Sequence, residues 1–355
     1  MCNKIIHLMI SEKFTEPFIG FMKTNFDESM HKFIILSENS KFVVKPNKNV
    51  INISTLHKNK LIKLFMQFSY LKKELEKGDK IIIHGMWSFP LNIFFYLIPH
   101  LLKKSIWIIW GGDLYFYRDR SKNIKDNIKE FFRKNVIKNL GGIIAYNKEE
   151  IDLASTWYEN KTVKYYESFF YTSNLYEELK IEKIESDEYN IQVGNSADKS
   201  NNHIEILNKL SIYKNKNIKI YVPLSYGDLN YAKEVIAIGK EIFKDNFIPI
   251  TDYMDFSEYI SLLGTIDIAI FNHNRQQAMG NITTLLGLGK KVYMRTDITS
   301  YSYLSDLGIN IYDTNNFELS KLSETNKKQN IEIVKEYFSK DTLIKQWENI
   351  INDSW

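Results

Sequence analysis

Apolar residues in this chain follow two alternating rhythms. Short unbroken runs such as I-I-H-L-M-I (Ile5–Ile10) and K-I-I-I-H (Lys80–His84) read as strands buried on both faces. Between such runs, apolar positions recur at spacings of three and four, as on an amphipathic helix. The longest of these segments, L-I-K-L-F-M-Q-F-S-Y-L-K-K-E-L-E-K at 61–77, ends at Gly78, a helix stop. On this basis the first half predicts strands at Ile5–Ile10, 32–37, Lys80–His84, 105–110 and 142–146. Its helices fall near 18–25, over 61–77, within 91–104 and over 124–139. The pattern restarts with strands at 191–194, 219–223, Phe247–Ile250, 266–272 and 291–295. Helices are expected there at 203–209, 231–243, 257–263 and from about Asn281. Strands alternating with helices argue for an α/β protein with parallel, doubly wound sheets. Residues 179–190 are charged, lack glycine and carry no strong period, so they read as a linker. The expected organisation is a first domain over 1–178, a second over 191–340, and a final helix within 341–355 that returns to the first domain.

Composition narrows the class. A chain of 355 residues with 44% hydrophobic content can fill two cores, which excludes global disorder. The balance of 47 Lys+Arg against 43 Asp+Glu gives +4, too small to require a nucleic-acid partner. Nearly all the basic residues are lysine; the arginines are Arg118, Arg120, Arg133, Arg275 and Arg295. An arginine in such a chain marks a place to look for phosphate or carboxylate. The single cysteine, Cys2, leaves no disulfide framework and no cysteine-based zinc site. Pro90, Pro99 and Lys103-Lys104 cut the most apolar stretch, 81–110, into pieces shorter than the roughly 18–20 residues of a membrane span. The first ten residues carry no cleavage-site or lipidation pattern, so the expectation is a protein that does not span the membrane.

Ligands of doubly wound sheets bind beyond the carboxyl ends of the strands. G-N-S-A-D-K-S-N-N-H, from Gly194 to His203, follows such a strand and precedes a helix. Gly194, Asn195, Ser196, Asp198, Ser200 and Asn201 could offer amides and hydroxyls to an anion, or could simply cap the helix. F-N-H-N-R-Q-Q-A-M-G-N, from Phe271 to Asn281, is a second loop of this kind. In it Arg275, Gln276, Gln277, Gly280 and Asn281 suit a diphosphate, with a structural ion pair of Arg275 as the plain alternative. Pro223 and Tyr226, at the end of an intervening strand, complete the donor-side candidates.

In the first half, H-G-M-W and W-G-G-D-L-Y follow apolar strands. Asp113, after a Gly-Gly turn, is a candidate general base, and Glu12, after the first strand, is the second choice. His84, Trp87, Trp110 and Gly111 are candidates for acceptor contact, although buried aromatics and satisfied core histidines are commoner. No metal-ligand spacing occurs, so no obligatory metal or other cofactor is expected. Residues 118–138 hold eight basic and three acidic residues, either a solvated helix face or a patch for an anionic membrane surface, with Phe94, Phe95 and Tyr96 as possible surface aromatics.

V-G-N-S-A-D-K-S-N-N-H-I, W-G-G-D-L-Y and R-Q-Q-A-M-G-N resemble signature segments of glycosyltransferase family 56, the TDP-N-acetylfucosamine:lipid II N-acetylfucosaminyltransferases of enterobacterial common antigen assembly. I-H-L near His7, F-M-Q-F and M-D-F-S-E-Y-I-S-L-L from Met254 are similar in a less specific way, and the likeness runs in order along most of the chain. The resemblance implies a GT-B fold of two facing Rossmann-like domains. It implies a TDP-sugar held by the second domain through the loop residues named above. It also implies an undecaprenyl-diphosphate-linked saccharide as acceptor, and a peripheral position on the cytoplasmic face of the inner membrane. Two other readings share that fold: a nucleotide-sugar-binding assembly subunit without turnover, and a sugar-nucleotide epimerase.

Overall fold

The computed structural model describes residues 4–161, 164–178 and 188–353. Cys2 and the 179–187 part of the expected linker lie outside the described residues. The chain divides into two units, Met1–Ser173 with Lys340–Trp355, and Asn174–Ser339.

Unit 1 begins with β1 (Ile5–Ile10), α1 (Thr15–Asn25), β2 (His31–Ser37), β3 (Val50–Asn52) and α2 (Lys60–Glu76). It continues through β4 (Lys80–His84), α3 (Phe89–Leu97), β5 (Ser105–Ile108), α4 (Gly112–Asp119) and α5 (Ile124–Lys138), then β6 (Gly142–Ala145), α6 (Lys148–Tyr158) and β7 (Lys164–Glu167). The strands form one sheet in the order β3-β2-β1-β4-β5-β6-β7, with every neighbouring pair parallel. The apolar runs of β4, β5 and, up to its last residue Ile10, β1 are buried because helices cover both faces. Polar side chains start the helices where the pattern turns helical. Asn59 caps α2, Ser88 caps α3, Asn123 caps α5 and Asn147 caps α6.

Unit 2 repeats the plan with β8 (Tyr189–Val193), α7 (His203–Leu210), β9 (Ile218–Pro223), α8 (Leu229–Phe243), β10 (Phe247–Ile250) and α9 (Phe256–Thr265). It ends with β11 (Ile268–Phe271), α10 (Met279–Gly287), β12 (Lys291–Met294), α11 (Thr299–Asp306), β13 (Tyr312–Asp313) and α12 (Glu324–Tyr337). Its parallel sheet runs β10-β9-β8-β11-β12-β13. The last helix, α13 (Lys340–Asn352), belongs to unit 1, where Leu343, Trp347 and Ile350 are fully buried. The buried Lys80 ammonium donates to the carbonyls of Ile350, Ile351 and Asp353 at the end of this helix, a favourable partner for carbonyls left unpaired in the last turn.

The doubly wound class is what the alternation of runs predicts. The expected 91–104 helix is instead two pieces: α3 stops at Leu97, and a 3₁₀ turn spans Pro99–Lys104, because Pro99 cannot donate to the α-ladder. Phe94 and Phe95 are core residues with no exposure, a correction to the expectation of surface aromatics; Tyr96 alone of the three is exposed. Their helix lies against the sheet, and the apolar layer beneath it takes both rings.

A chain of three buried histidines crosses unit 1. His7 in the middle of β1 lies 3.1 Å from His84 Nε2 through Nδ1 and 3.0 Å from His31 Nδ1 through Nε2. His84 Nδ1 is 2.7 Å from the Tyr171 hydroxyl, and the His7 ring stacks on Phe33 at 4.7 Å. Burial holds all three neutral. His84 is lowered to about 3 and His31 to about 4, and His7 is lowered well below its ordinary value by burial and then by its two neighbours. In the unfolded chain each titrates near about 6.5. Unfolding between these values therefore takes up protons, and stability rises with pH through that window. Urea midpoints should be level above about pH 7 and fall steadily from about pH 6.5 towards 4, with close to one proton taken up per histidine. A midpoint unchanged between pH 7 and pH 5 would contradict this assignment.

Candidate functional site

In unit 2 the winding direction reverses between β8 and β11, so their carboxyl-terminal loops diverge and leave a crevice. The two loops singled out in the sequence are these loops, and side chains fasten them together. Ser200 Oγ donates to Gln277 Oε1 at 2.7 Å, and Gln277 Nε2 donates to Asn195 Oδ1 at 3.3 Å. Asn202 Nδ2 donates to the Asn272 carbonyl at 2.9 Å. Asn201 is fully buried and works as a junction: its Oδ1 accepts from the Asn195 N–H at 3.0 Å and from His273 Nε2 at 2.9 Å. That bond fixes His273 with its proton on Nε2, and burial lowers its pKa to about 3. Gly194 has φ +69, and a Cβ there would stand 2.7 Å from Asn201 Oδ1 and collide with His203. Only glycine lets these two buried side chains pack beneath the loop.

The accessible groups are charged and complementary to an anion. Arg275, its side chain 17% exposed, stands 4.0 Å from Asp198. Burial would raise Asp198, but bonds from Ser200 and the charge of Arg275 bring its pKa below the ordinary value. α10 starts after Ala278, a left-handed residue (φ 59) that offers no side-chain cap. The first-turn amides of Met279, Gly280 and Asn281 therefore point outward beside Arg275, at the positive end of a helix. α7 differs: its first amide, on His203, donates to the Tyr231 hydroxyl at 3.1 Å, so a side chain already occupies that helix end. The groups suited to an anion therefore lie on the second loop, and the first loop braces it through Ser200, Asn202 and Asn201.

The donor-side candidates divide accordingly. Arg275, Gln277, Gly280, Asn281, Asp198 and Ser200 reach the surface of the crevice. Tyr226 shows a half-exposed ring, and its hydroxyl accepts from Asn195 Nδ2 at 3.0 Å. Asn195, Ser196, Asn201 and Gln276 are buried, and Gly194 and Pro223 lie within the packed strand ends. These six are packed into the loops and strand ends, unlike the direct contacts expected of them. His273 and Ala278 escaped the sequence reading; the residues N-H-N-R hold the first in plain view, but nothing in a sequence marks an alanine at positive φ.

In unit 1 the reversal falls between β1 and β4. Glu12 follows β1 there, half-exposed, and its backbone N–H is held by Thr15 Oγ1 at 3.1 Å. Asp113 is different from expectation. Its carboxylate has no exposure and already accepts four hydrogen bonds, from Met86 N–H (2.8 Å), Trp107 Nε1 (2.7 Å), Trp110 N–H (2.9 Å) and Leu114 N–H (3.0 Å). Burial raises its pKa, against Arg133 and these donors. With both oxygens engaged and water excluded, Asp113 cannot take a proton from a substrate hydroxyl; it ties the loop after β4 to the loop after β5. Arg133 completes the tie by donating to the carbonyls of Asp113 and Met86 and to the Tyr158 hydroxyl. It is 4% exposed and paired with Glu130, so it is no part of a surface patch. Lys134 and Lys138 pair with Glu159. The 118–138 stretch is therefore not the single basic face expected of it.

His84 is buried and Gly111 is a packed turn residue, so neither offers an acceptor contact of its own. Trp110 donates to the Tyr171 hydroxyl at 3.0 Å, while Trp87 is 46% exposed. Trp87 stands at the mouth of a groove of about 500 Å³, lined mainly by apolar side chains. Its walls come from the ends of β1 and β2 (Ile10, Leu36), from α2 (Phe68, Leu71) and from the start of α3 (Phe89, Leu91). Among the described residues, no group of three or more His, Cys, Asp or Glu stands together as a metal cage.

Two substitutions separate these roles. Asp113→Asn should lower stability by about 3 kcal/mol, because an amide cannot accept from four donors and its own N–H groups would face them. Chemical denaturation reads this directly, and a fully stable variant would refute the tie. Arg275→Ala should leave stability within about 0.5 kcal/mol and weaken a nucleoside diphosphate about ten- to hundredfold, with Lys restoring only part. Unchanged titration of nucleotide by the alanine variant would refute the anion site.

Comparisons with known proteins follow this geometry. Sucrose-phosphate synthase from Thermosynechococcus elongatus superposes with a TM-score of 0.71 at 10% identity, over 98% of each chain. A glycosyltransferase from Rickettsia africae gives 0.65 at 14%, over 98% of this chain and 97% of that one. WaaG, a glycosyltransferase involved in lipopolysaccharide biosynthesis, gives 0.57 at 11%, over 97% and 93%. At these identities the likeness establishes the fold, which is GT-B. The model of the family described as 4-alpha-L-fucosyltransferase, glycosyl transferase group 56, matches residues 11–354. The chain belongs to that family and is a glycosyltransferase.

Proposed function

We propose that this glycosyltransferase moves a deoxy-amino sugar of the N-acetylfucosamine type from a TDP-sugar to an undecaprenyl-diphosphate-linked saccharide. The reaction would serve bacterial surface polysaccharide assembly at the cytoplasmic face of the inner membrane. The observation that carries the reading is the uncapped start of α10 beside Arg275, at the point where the sheet of unit 2 reverses. When the glycosidic bond to the nucleotide breaks, negative charge grows on the departing diphosphate. Fixed amides and a guanidinium stabilise that charge without reorganising, and no metal is needed for the step. Tyr226, half-exposed beside the same loops, offers an aromatic face to the nucleoside.

On the acceptor side, Glu12 takes the role of general base if the reaction inverts the sugar. It is a half-exposed carboxylate at the reversal point of unit 1, and Asp113 is withdrawn from chemistry. Trp87 gives a sugar ring a surface to stack on, at the mouth of an apolar groove. Family membership favours turnover over a purely binding subunit, and a requirement for acceptor separates transfer from epimerisation.

The test is transfer from a panel of TDP- and UDP-sugars to a lipid-diphosphate saccharide by purified protein. Turnover should need both substrates, favour a TDP-deoxyamino sugar and persist in EDTA. Glu12→Gln should bind nucleotide as the parent does and turn over about 10²–10⁴-fold more slowly. Donor isomerisation without acceptor would overturn the transfer reading, and loss of activity in EDTA that Mg²⁺ restores would overturn metal independence. Full turnover by the Glu12 variant would remove the base.

A further inference from the structure

Unit 1 leaves an apolar outer face on three adjacent helices. α2, α3 and α5 lie side by side on one face of the sheet: Phe68 of α2 meets Phe94 of α3 at 5.3 Å, and Tyr96 of α3 meets Phe132 of α5 at 5.0 Å. Each helix buries one face against the sheet, yet each also carries large apolar side chains outward. On α2 these are Leu61 (79% exposed), Ile62, Phe65 (76%) and Met66. Leu97 is 64% exposed at the end of α3, and Ile124 is 81% exposed at the start of α5, with Ile128 and Phe131 following at helical spacing. Single exposed leucines need no explanation, but four large apolar side chains exposed on the first two turns of α2, with Tyr96 of α3 exposed against Phe131 of α5 at 5.8 Å on the same side of the sheet, do.

Charge says what covers it. From 39 to 73 the sequence carries eight lysines and no aspartate or glutamate. Lys58, Lys60, Lys72 and Lys73, in or next to α2, are exposed. Lys122 and Lys125 are likewise exposed at the start of α5. An outer face that is apolar at its centre and cationic at its edge is the pattern of an interfacial helix, whose lysines reach up to headgroups while the apolar side chains enter the acyl boundary. We infer that the α2–α3–α5 face of unit 1 is a docking surface for an anionic lipid bilayer, with the first two turns of α2 as its main contact. This deepens the reading above, since a lipid-linked acceptor obliges the enzyme to reach a bilayer; the surface itself rests on exposure and charge. It also shifts the main contact from the 118–138 basic stretch to α2, because within that stretch Arg133 is buried and Lys134 and Lys138 are paired, which leaves Lys122 and Lys125 at its start as the part that joins the face.

Vesicle co-sedimentation without donor or acceptor tests the surface separately from the chemistry. The full chain should bind phosphatidylcholine vesicles containing 30–40% phosphatidylglycerol, roughly the anionic content that interfacial lysines respond to, and should bind pure phosphatidylcholine at least about tenfold more weakly. Salt near 1 M should release much of it, since screening then acts within about 3 Å. Leu61→Ser with Phe65→Ser removes side chains that pack against little, so thermal stability should hold while partition to anionic vesicles falls at least about tenfold. Ile62→Trp should strengthen partition, which guards against a loss caused by misfolding. Vesicle binding by the double variant equal to that of the parent would overturn the proposal. So would a parent that ignores vesicles and self-associates through Leu61 and Phe65. If transfer to a lipid-diphosphate saccharide fails while vesicle binding follows this pattern, the surface stands and the substrate reading falls.

Discussion

The four N–H groups gathered on the Asp113 carboxylate are the constraint on which the working edge of unit 1 depends. A buried carboxylate without partners would be strongly disfavoured; here every lone-pair direction is used, and the Arg133 guanidinium neutralises the charge from the carbonyl side. The result is a rigid joint between two loops that would otherwise move independently. One of them presents Trp87 and the groove wall that runs on into α3. The other turns at Gly111 and starts α4. The W-G-G-D motif therefore has a mechanical reason: the turn brings the carboxylate back over the end of β5, where the Trp107 indole and the Trp110 amide can reach it.

Unit 2 meets the same engineering demand with a neutral group. Asn201 gathers bonds from both loops of its crevice, as Asp113 does in unit 1, but carries no charge. The difference suits the diphosphate proposed for this crevice. A buried carboxylate under an anion site would repel the diphosphate through a medium of low dielectric, whereas an amide organises the loops and leaves Arg275 and the α10 amides with their full pull. Asp198, the carboxylate that faces Arg275, stays at the half-exposed edge, where solvent softens its field.

The apolar rhythm was enough to reveal both sheets, because strands buried on both faces leave nothing for the pattern to confuse. What stayed hidden were β3, β7 and β13, which are short and sit on sheet edges where polar residues are tolerated. At the candidate site, residue type and position after a strand marked the right loops, and Arg275 stood out because arginine is so scarce here. Those cues could not tell a side chain that faces a ligand from one that faces its own backbone. Asp113 and Asn201 have the chemistry of contact residues and the burial of core residues, and only the path of the loop decides between the two. His7 and His31 were silent for a related reason: nothing local in the chain announces that three distant histidines meet across adjacent strands.

The return of α13 to unit 1 also orders events during synthesis. The Trp347 indole donates to the Phe170 carbonyl, Gln346 accepts from Ser168, and Lys80 holds the carbonyls at the end of the helix. The first sheet thus waits for a helix that leaves the ribosome only after all of unit 2 has been made. Unit 2 is contiguous in sequence and can close its core as it emerges, so the usual order in which the amino-terminal domain folds first is reversed. Until then unit 1 exposes the seat of Trp347, an apolar surface covered only once the helix that follows unit 2 has been made.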